Sequence, residues 1–304
     1  MSYNEPNWGW YNHRGDEIWT ISHGPQVLDI QALQYLYGPN SEYNSENTVY
    51  EFSAVEPVSL TIWDGGGIDL LDFSQMVVGL TISLEPGSFS TVPIRGWLPS
   101  DNIGIAYGTV IENVIGSKAG DVITGNASDN FLSGHSGDDT LYGEAGNDTF
   151  DWHENSRAGS DLFVGGTGDD TYYLSVGDEV IEEASEGTDT IILVDSQSFV
   201  TPEHVERVIV AHQLGATVVG NELDNTLMGG AGDDILTGAG GADTFLVSEN
   251  MGHDLITDFN ESQGDKILYA MSPLEALYME TDTGFILDFG SNGSLTVVFS
   301  DVVA

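Results

Sequence analysis

Glycine and aspartate recur every nine residues in two parts of this chain, and this period constrains the fold more than any other feature. The template is Gly-Gly-x-Gly-x-Asp-x-U-x, in which U is a large apolar residue. Four consecutive windows begin at residues 116, 125, 134 and 143, one copy begins at 165, and three more begin at 220, 229 and 238. Such a repeat indicates a chain that stacks one short structural unit on the next.

Each window combines a tight turn with a short strand. The first six residues turn readily because glycine reaches positive φ without a steric clash, and the last three form a strand with one large side chain pointing inward. Two windows make one coil of eighteen residues, and coils stack about 4.8 Å apart through parallel strand pairing. We therefore predict an all-β fold: a right-handed parallel β-roll (β-helix) with flanking β-sandwich-like strands and one or two short helices.

The charge of the chain requires a cation from outside. There are 49 acidic residues against 6 Lys and Arg, a formal net charge of −43. Stacking places Asp121 over Asp139 and Asn225 over Asp243, and two unit charges about 4.8 Å apart repel by roughly 3.5 kcal/mol at an effective dielectric of 20. The hydrophobic fraction of 40% nevertheless supports a folded core. Nucleic acid and anionic membranes are excluded as partners because both would be repelled.

The available donor atoms identify that cation as Ca²⁺. The chain has no cysteine and no regular histidine cluster, whereas carboxylates and backbone carbonyls suit a hard cation with many oxygen ligands. Mg²⁺ fits less well because it retains its waters. We expect several Ca²⁺ ions between neighbouring turns. The predicted repeat ligands are Asp121, Gly134, Ser136, Asp138, Asp139, Gly143, Ala145, Asn147, Asp148, Gly165, Thr167, Asp169, Asp170, Gly229, Ala231, Asp233, Asp234, Gly238, Gly240, Ala242 and Asp243.

The windows resemble the RTX nonapeptide repeats of proteins that Gram-negative bacteria export through type I systems. The resemblance extends over about residues 29–304, because DIQALQYLYGPN, TVYEF, WDGGGIDLLDFS and IENVIGSKAGDVITGN follow, in order, the C-terminal region of serralysin-type metalloproteases. The stretch 174–219 departs from that pattern. The resemblance implies calcium ligands outside the repeats, namely Asp64, Gly66, Gly67, Asp69, Glu112, Asp258 and Asp265.

The first three residues, Met1-Ser2-Tyr3, resemble the Met-turn of serralysins. In that family the methionine lies beneath the catalytic zinc and the tyrosine can reach the metal. None of the seven histidines here begins the zinc-binding motif HExxHxxGxxH. We therefore predict no enzymatic activity for this chain alone, a relationship to a zinc metalloendopeptidase, and Zn²⁺ only where the chain is joined to a catalytic domain.

The function expected from these features is that of the calcium-binding β-roll of a secreted serralysin-like protease, which folds in extracellular calcium. The tail FSDVVA resembles an uncleaved type I secretion signal, so the expected partners are the export apparatus and the protein's own catalytic domain. The chain has no run of eighteen apolar residues, so no membrane span is expected.

Two alternatives remain at this point. One is a free-standing secreted calcium-binding protein, such as an adhesin or matrix component. The other is an enzyme of another class, such as a mannuronan epimerase, although no segment remains for its catalytic β-helix. A coding sequence just upstream that contains HExxHxxGxxH would distinguish the protease from the free-standing protein.

The expected organisation follows the motifs along the chain. Helices are predicted within 25–40 and near Ser272-Pro273. The predicted regions are a catalytic-domain remnant at 1–28, the first part of the serralysin C-terminal β region at 29–115, a first β-roll at 116–173, a degenerate strand-bearing linker at 174–219, a second β-roll at 220–250, and a cap with the secretion signal at 251–304.

Overall fold

The computed structural model describes residues 25–53, 59–93, 100–151, 159–195, 198–248, 251–269 and 277–300. It also gives the backbone of β1 (Gly9–Tyr11) and β2 (Glu17–Trp19), which pair antiparallel. Met1, Tyr3, the helix predicted near Ser272-Pro273 and the last four residues lie outside the described residues. The chain divides into two compact units, residues 1–164 and 165–304.

The helix predicted within 25–40 is confirmed as α1 (Val27–Tyr37). The backbone N–H of Gln26 donates to Asp29 Oδ2 over 3.1 Å, which satisfies a donor at the start of the helix. Gly38 follows the last turn with φ 82°, a conformation that glycine adopts without strain, and its N–H donates to the carbonyl of Gln34.

The first unit contains short strands that confirm the strand pattern read from the sequence. They are β3 (Val49–Glu51), β4 (Leu60–Ile62), β5 (Leu70–Asp72), β6 (Thr81–Ser83), β7 (Phe89–Ser90), β8 (Ile103–Ile105), β9 (Asn113–Ile115), β10 (Val122–Thr124), β11 (Phe131–Ser133), β12 (Thr140–Ala145) and β13 (Thr149–Phe150). Strand β14 (Leu162–Thr167) crosses the boundary between the units.

The second unit continues with strands of similar length. They are β15 (Thr171–Leu174), β16 (Glu179–Ile181), β17 (Thr190–Leu193), β18 (Ser198–Val200), β19 (Arg207–Val210), β20 (Thr217–Val219), β21 (Thr226–Met228), β22 (Ile235–Thr237), β23 (Thr244–Val247), β24 (His253–Phe259), β25 (Lys266–Tyr269), β26 (Leu277–Thr281), β27 (Gly284–Asp288) and β28 (Ser294–Phe299). A 3-10 helix at Gly290–Asn292 precedes β28.

The eighteen-residue coil is confirmed by the strand register in the first unit. Strand β10 pairs in parallel with β12, so that Ile123 lies beside Leu141, eighteen residues on. On the other side of the coil, β11 pairs with β13 and Leu132 lies beside Phe150. All four side chains are completely buried. The inward residue of each strand therefore stacks directly on its counterpart, and the core is a column of large apolar side chains.

The stretch 174–219 also forms parallel coils, although it lacks the glycine signature. Tyr172 lies beside Ile191, Ile191 beside Val208, and Val208 beside Leu227. The spacings are nineteen, seventeen and nineteen residues, and each of these side chains is buried. The stacked apolar column therefore tolerates coils that differ slightly in length, because register is set by the buried residue of each strand.

The flanking elements are small sheets, and the expected fold class is confirmed as a mostly β, parallel β-solenoid with one α-helix among the described residues. In the first unit, β8 pairs in parallel with β4 and antiparallel with β7. At the C-terminus, β26, β27 and β28 form an antiparallel meander, and β28 joins β24 in parallel. In the described part of the chain, no helix has the length and apolar character needed to cross a membrane.

Candidate metal centres between the coils

Hydrogen bonds between residues at the sixth position of the repeat link successive coils. We call this series of residues the position-six ladder. The backbone N–H of Asp121 donates to Asp139 Oδ1 over 2.7 Å, and the N–H of Asn225 donates to Asp243 Oδ1 over 2.9 Å. The predicted stacking of these positions is therefore confirmed. All four residues are buried, so one oxygen of each carboxylate is committed to the backbone of the preceding coil.

At two position-six aspartates, the second carboxylate oxygen forms no hydrogen bond within the described part of the chain. Oδ2 of Asp139 and Oδ2 of Asp234 are buried and have no hydrogen-bond partner among the described residues. Burying a charged oxygen without a partner is costly, and such atoms in a native fold usually indicate an ion or water. These oxygens fit a bound cation.

The first glycine of a window shows what lies beside that oxygen. A Cβ atom added to Gly116 would lie 2.5 Å from Asp121 Oδ2 and 2.6 Å from the carbonyl oxygen of Gly134. The corresponding oxygens of Asn225 and Gly238 approach Gly220 in the same way. A side-chain oxygen at position six and a glycine carbonyl from the next coil therefore converge over the first glycine. Any other residue there would fill this space.

The fifth residue of each window forms a second ladder in the opposite direction along the stack. Asp138 Oδ1 accepts the N–H of Ser160 over 3.0 Å, and Asp233 Oδ1 accepts the N–H of His253 over 2.9 Å. Asp169 Oδ1 similarly accepts from Thr188. These aspartates are exposed. Their hydrogen bonds link each turn to the next coil. The repeat template alone did not predict this role.

The remaining predicted repeat ligands lie in the turns and in the strands next to them. At position three, the N–H groups of Ser136, Ala145 and Gly240 donate to carbonyls of the preceding coil, at 3.4, 3.4 and 3.1 Å. At position five, the backbone N–H groups of Asn147 and Ala242 donate to Oδ1 of Asp129 and Oδ1 of Asp224. The other predicted ligands are Gly143 in β12, Gly165 and Thr167 in β14, Asp148 and Asp170 immediately before β13 and β15, and Gly229 and Ala231 between β21 and β22.

The ligands implied outside the repeats come together in the first unit. The N–H of Asp69 donates to Glu112 Oε2 over 2.8 Å, and the N–H of Gly66 donates to Asp64 Oδ1 over 3.0 Å. Oδ2 of Asp69 is buried without a hydrogen-bond partner in the described part of the chain. Burial, together with the nearby charges of Asp64 and Glu112, raises the pKa of Asp69 to about 6. This is a second carboxylate group that fits a cation.

A glycine turn gives this second group its shape. Gly66 and Gly67 have φ of 135° and 133°, which only glycine adopts readily. A Cβ atom on Gly67 would lie 2.7 Å from the carbonyl oxygen of Glu46. Both glycines are therefore required by the backbone path.

Asp258 and Asp265, implied as ligands after the last repeat, face the final repeat window. The two oxygens of Asp258 accept the N–H groups of Gly238 and Ala239, each over 2.9 Å. Asp265 Oδ1 accepts the N–H of Asp243 over 3.0 Å. Asp258 therefore contacts positions one and two of the last window, and Asp265 contacts position six.

The position-six ladder includes acids that were missed from the sequence, among them Asp161 and Asp254. Asp161 Oδ1 accepts the N–H of Asp139 over 2.8 Å, and Asp254 Oδ1 accepts the N–H of Asp234 over 3.0 Å. Their spacings of twenty-two and twenty residues break the nine-residue register. A signal was present, because each acid comes two residues before a buried apolar residue, Phe163 in one coil and Ile256 in the other.

Burial makes the ladder carboxylates weak acids. Desolvation is the largest cause of the raised pKa at each position, and it brings the pKa of Asp139 and of Asp254 to about 8. The pKa of Asp243 rises to about 7 and that of Asp121 to about 6. Neighbouring carboxylates raise the pKa further at Asp139, Asp243 and Asp254. Without a cation, protonation of these carboxyls therefore stabilises the folded ladder.

Comparison with known proteins defines the class first. Residues 219–248 match the RTX calcium-binding nonapeptide repeat, so this is an RTX protein whose repeats indicate calcium binding. Residues 27–213 match the family described as Peptidase M10 serralysin C terminal. Because that match covers more than half of the chain, the chain belongs to the serralysin C-terminal family.

Individual relatives agree with this assignment. Serralysin G of Dickeya chrysanthemi is 40% identical over 119 residues, which are 35% of this chain and 24% of that protein. Serralysin B of the same organism is 39% identical over 135 residues, 40% of this chain and 26% of that protein. Metallopeptidase AprA of Pseudomonas marginalis is 37% identical over 115 residues, which are 34% of this chain and 23% of that protein. The matched region is thus about a quarter of each relative.

Among solved structures, the chain is similar to the extracellular lipase LipA from Serratia marcescens. The TM-score is 0.31 at 20% identity, with 62% of this chain and 38% of that chain covered.

Asp139→Asn tests the ladder oxygen directly. The amide keeps an oxygen that can accept the N–H of Asp121, but it removes the negative charge of the carboxylate. We expect the calcium midpoint of folding to rise roughly tenfold, equivalent to about 1.4 kcal/mol, in a calcium titration followed by circular dichroism. Glu85→Gln, which removes one exposed charge, should leave the midpoint unchanged. Equal midpoints for both variants would contradict a ligand role for Asp139.

The raised pKa values predict how the calcium-free protein responds to pH. A carboxyl whose folded pKa lies above its ordinary value makes the folded state bind more protons than the unfolded state, here between about pH 4 and pH 8. Stability therefore falls as pH rises through this window. In EDTA, the strand signal in circular dichroism should be larger near pH 5 than near pH 8, and excess calcium should remove the difference. A signal in EDTA that grows with pH would contradict this account.

Proposed function

We propose that this chain is the calcium-binding β-roll of a secreted serralysin-like protease and that it folds when it meets extracellular calcium. The observation that carries the proposal is the convergence, over the first glycine of a window, of a buried position-six oxygen and a glycine carbonyl from the next coil. Oxygen atoms of these two types are the ligands that Ca²⁺ takes in proteins.

We propose that a bound calcium ion replaces the repulsion between stacked carboxylates with a net attraction to the ion. In the cytosol, where free calcium is scarce, the charges repel and the chain, with its net charge of −43, stays extended enough to pass an export channel. Extracellular calcium modules bind at about 10⁻⁴–10⁻³ M. Because the sites exist only in the folded coil stack, binding energy becomes folding energy, and chelation unfolds the chain.

The proposed ligands are those predicted from the repeats and the family resemblance, joined by Asp161 and Asp254. Their support is geometric: both added aspartates occupy the position-six ladder, and both are buried. Several ions are expected, because this arrangement recurs along each unit. The group around Asp64, Asp69 and Glu112 would hold a further ion.

Helix α1 supports a connection to a further domain. It exposes Leu28, Leu36 and Tyr37 by 68, 66 and 82%, and these exposed apolar residues follow the segment that resembles a Met-turn. We propose that a catalytic domain covers them, with Met1 beneath its zinc ion and Tyr3 within reach of the metal. The type I export apparatus would recognise the C-terminal tail, which places the protein outside the cell.

The native product in the calcium-containing culture supernatant tests both parts of the proposal. An antibody to the repeats should detect a species larger than the 32.6 kDa of this chain by the mass of a protease domain. Proteinase K should spare the repeat region in calcium and degrade it after EGTA is added, because the coil stack then unfolds.

The two parts fail separately. A secreted species of 32.6 kDa would contradict the connection to a protease and favour a free-standing calcium-binding protein. Equal resistance to proteinase K with and without EGTA would contradict calcium-dependent folding, whatever the mass of the product.

A further inference from the structure

Three acidic side chains meet in the coil that has lost the glycine signature. Asp170 precedes β15, Glu182 follows β16 and Asp189 precedes β17. Each offers a carboxylate oxygen, and these oxygens all lie within 4.8 Å of one another in a buried environment. All three residues belong to the second unit. The repeat template selects only Asp170, because Glu182 and Asp189 lie outside every nine-residue window.

Glu182 is the unusual member of this three-acid cluster. It is 7% exposed, its Oε1 accepts the hydroxyl of the fully buried Tyr172, and its Oε2 is buried with no hydrogen-bond partner in the described ranges. A glutamate carboxylate held in place by a tyrosine, with its other oxygen unused, points to a missing ligand. Without a further ligand, nothing would compensate the free-energy cost of removing Glu182 Oε2 from water.

The backbone places the other two acids in the position-six ladder. The N–H of Asp170 donates to Asp189 Oδ1 over 2.9 Å, and the N–H of Asp189 donates to Glu206 Oε2 over 2.8 Å. The ladder therefore continues into a coil that lacks the nine-residue glycine signature. Glu182 adds a third carboxylate, which reaches the same place from the other side of the coil.

We propose that Asp170, Glu182 and Asp189 bind one Ca²⁺ ion at this coil. The oxygens lie no farther apart than about twice the 2.3–2.6 Å of a calcium–oxygen bond. Glu182 replaces the carbonyl oxygens that glycine turns supply in the regular windows. Gly165 leaves room for the group, because a Cβ there would collide with oxygens of Asp170, Tyr172 and Glu182. The site deepens the proposed function, on which it rests.

The number of bound ions tests the site. Native mass spectrometry of the full chain in saturating calcium should show one ion fewer for Glu182→Gln than for the wild type. Glu183→Gln is the matched control: it makes the same change at the adjacent, exposed position and should keep the full number. In a calcium titration by circular dichroism, only Glu182→Gln should raise the folding midpoint.

An unchanged ion count for folded Glu182→Gln would overturn the site and leave a protonated, hydrogen-bonded cluster in its place. Should Glu182→Gln fail to fold in calcium, Asp189→Asn replaces it, with the same expected loss of one ion; retention of all ions by that variant would equally overturn the site. A wild-type chain that binds no calcium would instead contradict the proposed function itself, so the two failures are distinct.

Discussion

Repulsion between stacked carboxylates is the constraint on which the rest of this structure depends. The parallel coils that bury the apolar column also bring position-six acids together, as with Asp121 and Asp139. In a buried setting the carboxylates remain together only when protons or a cation neutralise them. The same register that forms the core therefore creates the requirement for calcium, and the core and the sites cannot form independently.

A position-six aspartate both hydrogen-bonds to backbone groups and carries a negative charge. The degenerate windows, which have asparagine at this position, keep the hydrogen bonding without the charge. The side-chain oxygens of Asn130 and Asn225 accept the N–H groups of Asn126 and Asn221 within their own windows. Their amide nitrogens donate to the carbonyls of Glu112 and Val205, each over 3.1 Å. An asparagine thus satisfies the stack with its own N–H groups and adds no charge. These windows therefore stack without a carboxylate at position six.

The sequence predicted the features that depend on period and failed where the period breaks. Nine-residue spacing was sufficient to predict the eighteen-residue coil, its parallel pairing and the stacked positions. It missed Asp161, Asp189 and Asp254, because coils of seventeen to twenty-two residues shift the register while the buried apolar column stays continuous. Glu182 could not be predicted, since its role depends on Tyr172, ten residues away and brought close only by folding.

Hydrogen exchange of the ladder amides tests the central claim most directly. The N–H groups of Asp121, Asp139 and Asn225 each donate to a carboxylate of the next coil, so they report on the stack itself. Peptides that contain them should be strongly protected in millimolar calcium and should exchange at the rate of an unfolded chain in EDTA at pH 8. Equal protection in both conditions would show that the carboxylates stack without a cation and would contradict the account.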